Sequence, residues 1–233
     1  MAQAATATLA YGGHDSYASM AAADNYNAFL HGLVAAAIGE AHRVLDVGAA
    51  DGRFALPLLR QGREVHCVEI DPAFCRALAQ AGLPVSPDLA TLPDGSFEAA
   101  YALNVLEHVA DDAGMLAQLH AKLRPGGRLL IYVPAFQLLY SPLDLAVGHL
   151  RRYRRRDLEP LLHRAGFAVE RLRYVDSLGF AAALAYRLLN RDGRLDPRAI
   201  LLYDRILFPV SRILDPVAGR LFGKNLIAVA RRR

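Results

Sequence analysis

The sequence predicts an α/β protein built on a mostly parallel sheet, and three observations carry that prediction. Short apolar runs alternate with amphipathic stretches of about 9–14 residues, the mark of repeated strand–helix units. The first of these runs ends in a glycine-rich turn, Gly48-Ala49-Ala50-Asp51-Gly52. At 233 residues and 54% hydrophobic content, the chain is long and apolar enough to bury one large core.

The elements follow in order. Asp24 to Ile38 reads as a helix, with Phe29, Leu33 and Ala37 at four-residue spacing. Arg43 to Val47 is a short apolar strand that runs into the glycine turn. Arg53 to Gln61 reads as helical, with Pro57 either near its first turn or kinking it. Val65 to Ile70 is a second buried strand. The next helix, Pro72 to Gln80, has proline at its first position and Gly82 beyond its end, the usual asymmetry of helix ends. A short strand near Pro84 to Ser86 precedes a fourth at Phe97 to Leu103. A helix from Asp111 to Leu123 is stopped by Pro125-Gly126-Gly127, and Arg128 to Val133 is the clearest strand of all. A helix at Asp157 to Ala165, a strand at Val169 to Val175, helices at about 178–191 and 198–214, and a last strand at Asn225 to Ala230 complete the chain. One domain is expected: a helical segment over 1–42, a cofactor-binding half over 43–135, and a substrate-side half over 136–233 carrying a helical insertion at about 178–223.

Composition narrows the function classes. Two cysteines, Cys67 and Cys75, give neither a disulfide framework nor a zinc-type cluster. The first twenty residues lack the basic and apolar regions of a secretory signal, and no run of about 18 apolar residues is present, so a cytoplasmic setting is expected. Charge is unevenly spread. Residues 1–147 carry 8 basic and 15 acidic side chains (net −7), whereas residues 148–233 carry 19 and 8 (net +11). Such polarity suits an anionic partner on one side of the molecule, or reflects arginine at solvated helix positions. Nucleic acid is disfavoured, because the first half is acidic and the run Arg154 to Arg156 has no interleaved aromatics beyond Tyr153.

Ligands of open α/β sheets bind beyond the carboxyl ends of the strands, at a topological switch point. The turn after the first strand has the right character: Gly48 permits a sharp backbone turn and Gly52 a tight entry to the helix. Glu69, seventeen residues after Gly52, ends the second strand, where a carboxylate can accept from both hydroxyls of a ribose. The spacing is G-x-A-x-G rather than the G-x-G-x-x-G of dinucleotide sites, and Asp46 and Asp51 flank it. Carboxylates repel a pyrophosphate and suit a nucleoside bearing a sulfonium and an ammonium.

On these residues the chain resembles the class I S-adenosylmethionine-dependent methyltransferases. Asp46 to Gly52 looks like their first motif and Glu69 like their ribose-binding acid. Asp88, in Pro87-Asp88-Leu89, is similar to the residue that meets the adenine amino group. Leu92 to Glu98 resembles the segment entering the fourth strand, Asn104-Val105-Leu106-Glu107-His108-Val109 the motif after it, and Leu123 to Leu130 the Pro-Gly-Gly entry to the fifth. The matches run in order across roughly residues 43–135. Ala50 departs from the family, which usually has glycine there. The resemblance implies a Rossmann-like fold with a seven-stranded, mostly parallel sheet, an antiparallel last strand and helices on both faces. It also implies S-adenosylmethionine as cofactor, held by Asp46, Gly48, Ala50, Gly52, Glu69, Asp88, Leu89 and Asn104. Asp46 binds it through water or braces the turn, and Asn104 contributes its backbone.

Methyl transfer from a sulfonium is an in-line displacement, helped by alignment and, for O–H or N–H acceptors, by a base. His108 is placed for that role, with a structural histidine as the alternative. Glu107 and His108 lack a downstream histidine cluster to complete a ligand set, so no metal is expected. Val133 to Tyr153 resembles a bacterial methyltransferase subgroup with a Gly-His-x-Arg-Arg-Tyr element, here Gly148 to Tyr153. His149 is accordingly a second catalytic candidate, and Tyr140, Arg152 and Tyr153 are candidates for gripping an anionic or hydroxylated acceptor. The acceptor is expected to be a small or lipid-linked molecule. A binding module without turnover and a nicotinamide-dependent oxidoreductase are the alternatives. Within Arg198 to Asp215, the polar positions Arg198, Asp204, Arg205, Ser211 and Arg212 form a narrow stripe on an otherwise apolar surface. The apolar surface is expected to pack on the core, to meet a second subunit, or to lie at a membrane interface.

Overall fold

The computed structural model describes residues 21–189 and 196–233. The opening twenty residues, and the end of the helix expected over 178–191, lie outside the described residues. A seven-stranded sheet has the order β3-β2-β1-β4-β5-β7-β6. Its strands are β1 Arg43–Val47, β2 Glu64–Val68, β3 Val85–Ser86, β4 Phe97–Leu103, β5 Leu123–Pro134, β6 Phe167–Val175 and β7 Asn225–Arg232. Neighbours from β3 to β5 pair in parallel, and β7 runs antiparallel to both β5 and β6. This is the Rossmann-like methyltransferase fold that the sequence predicts.

Alternation along each strand serves two buried faces. On β1, Val44 joins the layer beneath α1 (Asp24–Ile38), α2 (Ala55–Arg60) and α3 (Pro72–Gln80), while Leu45 joins the layer beneath α4 (Asp112–Lys122) and α6 (Arg155–Arg164). On β5 the run Leu129 to Tyr132 alternates between the same two layers. Near-continuous apolar strands are what a sheet covered on both sides requires.

Local chemistry explains where the boundaries differ from expectation. β2 ends at Val68, not Ile70, because the Glu69 carboxylate takes the amides of Ile70 and Asp71, both at 2.8 Å, and turns the chain. β5 begins at Leu123, before the Pro125-Gly126-Gly127 turn, which is absorbed as an irregularity in its pairing with β4 between Phe97 and Ala99.

The insertion between β6 and β7 holds α7 (Ser177–Leu189), α8 (Pro197–Leu202), a π-helical turn over Tyr203–Leu207 and α9 (Phe208–Ala218). The last three run on as one helical rod. The π turn falls just before Pro209, whose missing N–H and ring disfavour regular pairing with the turn before it. Of the rod's polar positions, Asp204, Ser211 and Asp215 point inward, at 3%, 0% and 2% exposure, whereas Arg198 and Arg205 stay exposed. Asp204 caps α1, accepting from the amides of Asn25 (3.0 Å) and Tyr26 (2.8 Å), a service that Ala23 at the cap position cannot supply. Asp215 accepts from the amides of Asp176 (2.9 Å) and Ser177 (3.0 Å), fixing the start of α7. Phe208 anchors the rod against Tyr26 and Phe29. The apolar positions point outward, Ile213 at 77% exposure and Val217 at 76%, with Leu202, Ile206 and Leu221 also exposed. Packing on the core therefore involves only part of the rod's apolar surface.

Candidate active site

Between β1 and β4 the strand order reverses, and the ends of these strands carry the predicted cofactor residues. Gly48 has φ +74°, and a Cβ there would lie 2.4 Å from Cγ2 of Val105, so the position tolerates glycine for both backbone and space. Ala50, where the family usually has glycine, occupies the same left-handed region at φ +47°. The strain, of order 1–2 kcal/mol, is held by its amide, which donates to Glu69 Oε2 at 2.8 Å. Glu69 thus accepts from three backbone amides and ties the β1 turn to the β2 end. These three bonds fill Oε1 and leave one lone-pair site on Oε2, which can still take a ribose hydroxyl.

Asp46 is almost fully buried, and its Oδ2 has no hydrogen-bond partner among the described residues. Burial pushes its carboxyl up to about 7, opposed by the Tyr101 hydroxyl and reinforced by the charges of Glu69 and Asp51. An orphaned buried acid beside a second acid fits a cationic nucleoside and would reject a pyrophosphate. Asp88 is exposed and caps the short turn Leu89–Thr91 through the Ala90 amide at 2.9 Å, while Leu89 is buried. Asn104 ends β4 at φ +54°, its amide on the Tyr132 carbonyl at 2.8 Å. An open cavity of about 500 Å³ adjoins the turn, lined by Asp24, His31, Asp51 and Arg53 among others.

Beyond β4, the short turn Leu106–His108 meets the loop that follows β5. A parallel bridge joins Ala135 to Tyr153 and closes that loop. Within it α5 (Pro142–Ala146) starts with a capping box, Ser141 and Asp144, and Asp144 becomes the hub. Its Oδ1 lies 2.7 Å from His149 Nδ1, and Arg152 forks onto both oxygens, Nε at 2.8 Å and an Nη at 3.0 Å. Burial favours the neutral acid, but the bonds from His149 and Arg152 and the charge of Arg152 override it and hold the Asp144 carboxyl at about 2.

His149 then faces Glu107, Nε2 to Oε1 at 3.7 Å, and its ring meets His108 edge-to-face at 4.8 Å between centroids. His108 Nδ1 lies 3.2 Å from the Gly148 carbonyl, which it therefore donates to. Burial, with His149 adding and the Gly148 bond opposing, lowers the His108 imidazole to about 4. Glu107 is 0% exposed, and neither of its oxygens has a hydrogen-bond partner among the described residues. Burial pushes its carboxyl up to about 8, although the nearness of its own backbone amide and the charge of Arg152 oppose the rise. One ligand-type atom from each of Glu107, His108 and His149 lies within 4.8 Å of the others.

The two predicted catalytic histidines are therefore brought together. The three predicted acceptor-binding residues each have a partner within the protein. Tyr153 is 4% exposed and donates its hydroxyl to Asp112 Oδ2 at 2.8 Å. Arg152 is bound to Asp144, and Tyr140 donates to the His149 carbonyl at 2.7 Å. These side chains frame the loop. Asp144 and Glu107 complete the cluster and were not among the predicted site residues. The Ser141-Pro142-Leu143-Asp144 capping pattern was the available signal for the first.

Sheet order, glycine turn and the paired acids at the strand ends define the class of S-adenosylmethionine-dependent methyltransferases. Over residues 15–172 the sequence matches the family described as "Methyltransferase domain". The chain belongs to that family. Among curated proteins it is similar to the ubiquinone biosynthesis O-methyltransferase of Xanthomonas oryzae pv. oryzae, 31% identical over 99 residues, 38% of this chain and 41% of the relative. The chain thus spans less than half the length of the curated relatives it matches. Among solved structures it resembles a possible histamine N-methyltransferase from Thermotoga maritima, with a TM-score of 0.63, 16% identity, and 94% and 96% of the two chains covered. It also resembles a 1,6-didemethyltoxoflavin-N1-methyltransferase from Burkholderia thailandensis, solved with S-adenosylhomocysteine, with a TM-score of 0.56, 22% identity, and 94% and 82% covered.

Proposed function

We propose that the protein is a single methyltransferase domain that transfers the methyl group of S-adenosylmethionine to an oxygen or nitrogen of a small-molecule or lipid-linked acceptor. In this reading residues 43–135 hold the cofactor and residues 136–233 the acceptor, with the Gly148 to Tyr153 element defining the subgroup. The observation that carries it is the pairing of buried acids at the β1 and β2 ends with a histidine cluster just beyond β4. Glu69 holds the ribose, Asp88 and Leu89 border the adenine, and Asp46 and the turn Gly48, Ala50, Gly52 face the charged part of the cofactor. The cofactor supplies an electrophilic methyl with a neutral thioether as leaving group. His108 and His149 receive the acceptor's proton, and Asp144 orients His149.

His108→Ala or His149→Ala is expected to lower the methylation rate while S-adenosylhomocysteine affinity stays within about threefold. The acceptor is found by mass spectrometry, as a product one methylene heavier in extracts given enzyme and cofactor. If both variants methylate it at the wild-type rate, the histidines have no catalytic part.

The outward apolar face of α8 and α9 supports the lipid-linked acceptor. The rod's acids Asp204 and Asp215 are buried, whereas Arg198, Arg205 and Arg220 are exposed around Leu202, Ile206, Ile213 and Val217. An exposed apolar face that shares its helices with exposed arginines suits an anionic bilayer surface; a second copy would bring like charges together. No helix among the described residues is long and apolar enough to cross a membrane, so the contact is peripheral in this reading. Flotation with phosphatidylglycerol vesicles is expected to carry the protein at low salt, less at high salt, and poorly for Ile213→Glu with Val217→Glu. Absence of binding at low ionic strength removes the membrane from the proposal.

A further inference from the structure

We propose that Glu107, His108 and His149 form a binding site for a divalent first-row transition ion on the acceptor side of the cofactor. The inference rests on the reading that this cluster borders the acceptor, and it changes what the cluster does there. Three features of the geometry support it.

The first is convergence. One ligand atom from each residue lies within 4.8 Å of the other two, and Glu107 Oε1 and His149 Nε2 are already 3.7 Å apart. Ligands bound at about 2.0–2.2 Å stand roughly 3–4 Å from one another. Closure by about an ångström, within the reach of side-chain torsions, completes the site.

The second is the support behind each histidine. His149 has its Nδ1 on Asp144, which Arg152 and Ser141 hold in turn. His108 has its Nδ1 on the Gly148 carbonyl. A carbonyl and a carboxylate accept, so each ring donates from Nδ1, and a neutral ring held in this way offers Nε2 as its ligand atom. A carboxylate or carbonyl behind each imidazole is the arrangement that fixes metal-binding histidines.

The third is Glu107 itself, fully buried with neither oxygen hydrogen-bonded among the described residues. A buried carboxylate without a partner is costly, and a cation answers that cost.

Two imidazoles and one carboxylate favour zinc, iron(II), manganese or cobalt over magnesium and calcium, which prefer all-oxygen sites. One ligand charge against two on the ion leaves a net positive centre with open positions. An acceptor hydroxyl bound there loses its proton to solvent more readily, and its oxygen is held for attack. The new O–CH3 bond forms as the C–S bond breaks, and that electron pair stays on sulfur. The sequence alone did not lead here, because the third ligand lies about forty residues beyond the Glu-His pair and is delivered by the loop after β5.

Cobalt(II) is the probe. Titrated into the full-length protein bound to S-adenosylhomocysteine, it is expected to give a saturable visible d–d absorption at one ion per chain. His149→Ala and Glu107→Gln should each weaken binding at least tenfold, and Asp144→Asn about tenfold or more through the orientation of His149. His163→Ala, at an exposed position on α6, should bind as the parent does. Circular dichroism and S-adenosylhomocysteine affinity show which variants remain folded, and Glu107→Gln serves if His149→Ala does not. Failure to observe saturable absorption, or equal binding by the folded variants, overturns the site. Methylation that survives exhaustive chelation yet is lost in His108→Ala likewise overturns the metal and leaves the histidines as bases, so the two readings fail separately.

Discussion

Glu69→Ala is expected to lose about 1.5–3 kcal/mol of affinity for S-adenosylhomocysteine, the worth of charge-assisted bonds to a ribose. That is roughly a ten- to hundredfold weaker dissociation constant, read by titration calorimetry. The size of the effect has two sources in the structure. Glu69 supplies the charged acceptor at the end of β2, and it also holds the Ala50 amide at 2.8 Å, keeping the left-handed turn in place. Glu69→Gln separates them. It keeps an acceptor oxygen but removes the charge, so the turn should survive while affinity falls by a smaller amount. An unchanged dissociation constant in a folded Glu69→Ala protein would end the ribose assignment.

Asp144→Ala is expected to destabilise the folded protein by about 3–5 kcal/mol, because it leaves a buried cation without its partner. Arg152 has a side chain only 9% exposed and directs two of its nitrogens at this carboxylate, which also receives His149 and the Ser141 amide. Chemical denaturation measures the loss. The double variant Asp144→Ala with Arg152→Met removes the stranded charge as well, and should recover part of the stability lost by the single change. Strict additivity of Asp144→Ala and Arg152→Met would show that the pair does not act as a unit. Asp144 is thus the residue on which the acceptor loop depends, although nothing in its immediate sequence beyond the capping pattern marks it.

That contrast runs through the whole molecule. The stretch over residues 43–135 was legible in the sequence because its information is local: a strand, a glycine turn, an acid at a fixed distance, repeated in order. α1 and β4 occupy the same residues that periodicity assigns. The stretch over residues 136–233 was legible only as a set of unusual residues. His149 and Glu107 meet across a gap of about forty residues that is closed by the bridge between Ala135 and Tyr153 and by the Leu150 amide on the Glu107 carbonyl. Tyr153 and Arg152 carry groups able to bind a ligand, and whether they face a ligand or their own loop is decided by tertiary partners. The rod of α8 and α9 is the clearest case. Its sequence shows two faces, but hydrophobicity alone does not say which of them turns inward. Asp204, Ser211 and Asp215 can turn inward because each finds backbone amides to satisfy it, at the ends of α1 and α7.

The position of β7 has a consequence for how the protein is made. β7, drawn from residues 225–232, is inserted between β5 and β6, so Leu129 must wait for Ala230, about a hundred residues later, before its edge is covered. β6 lies at the margin of the sheet and has β7 as its neighbour there. During synthesis the chain therefore emerges with β1 to β5 able to form a half-sheet whose apolar margin is open, followed by a strand with nothing to join. Sealing that margin is among the last long-range steps of folding, and it also fastens both ends of the insertion. A nascent chain held before residue 225 is the species most exposed to edge-to-edge aggregation.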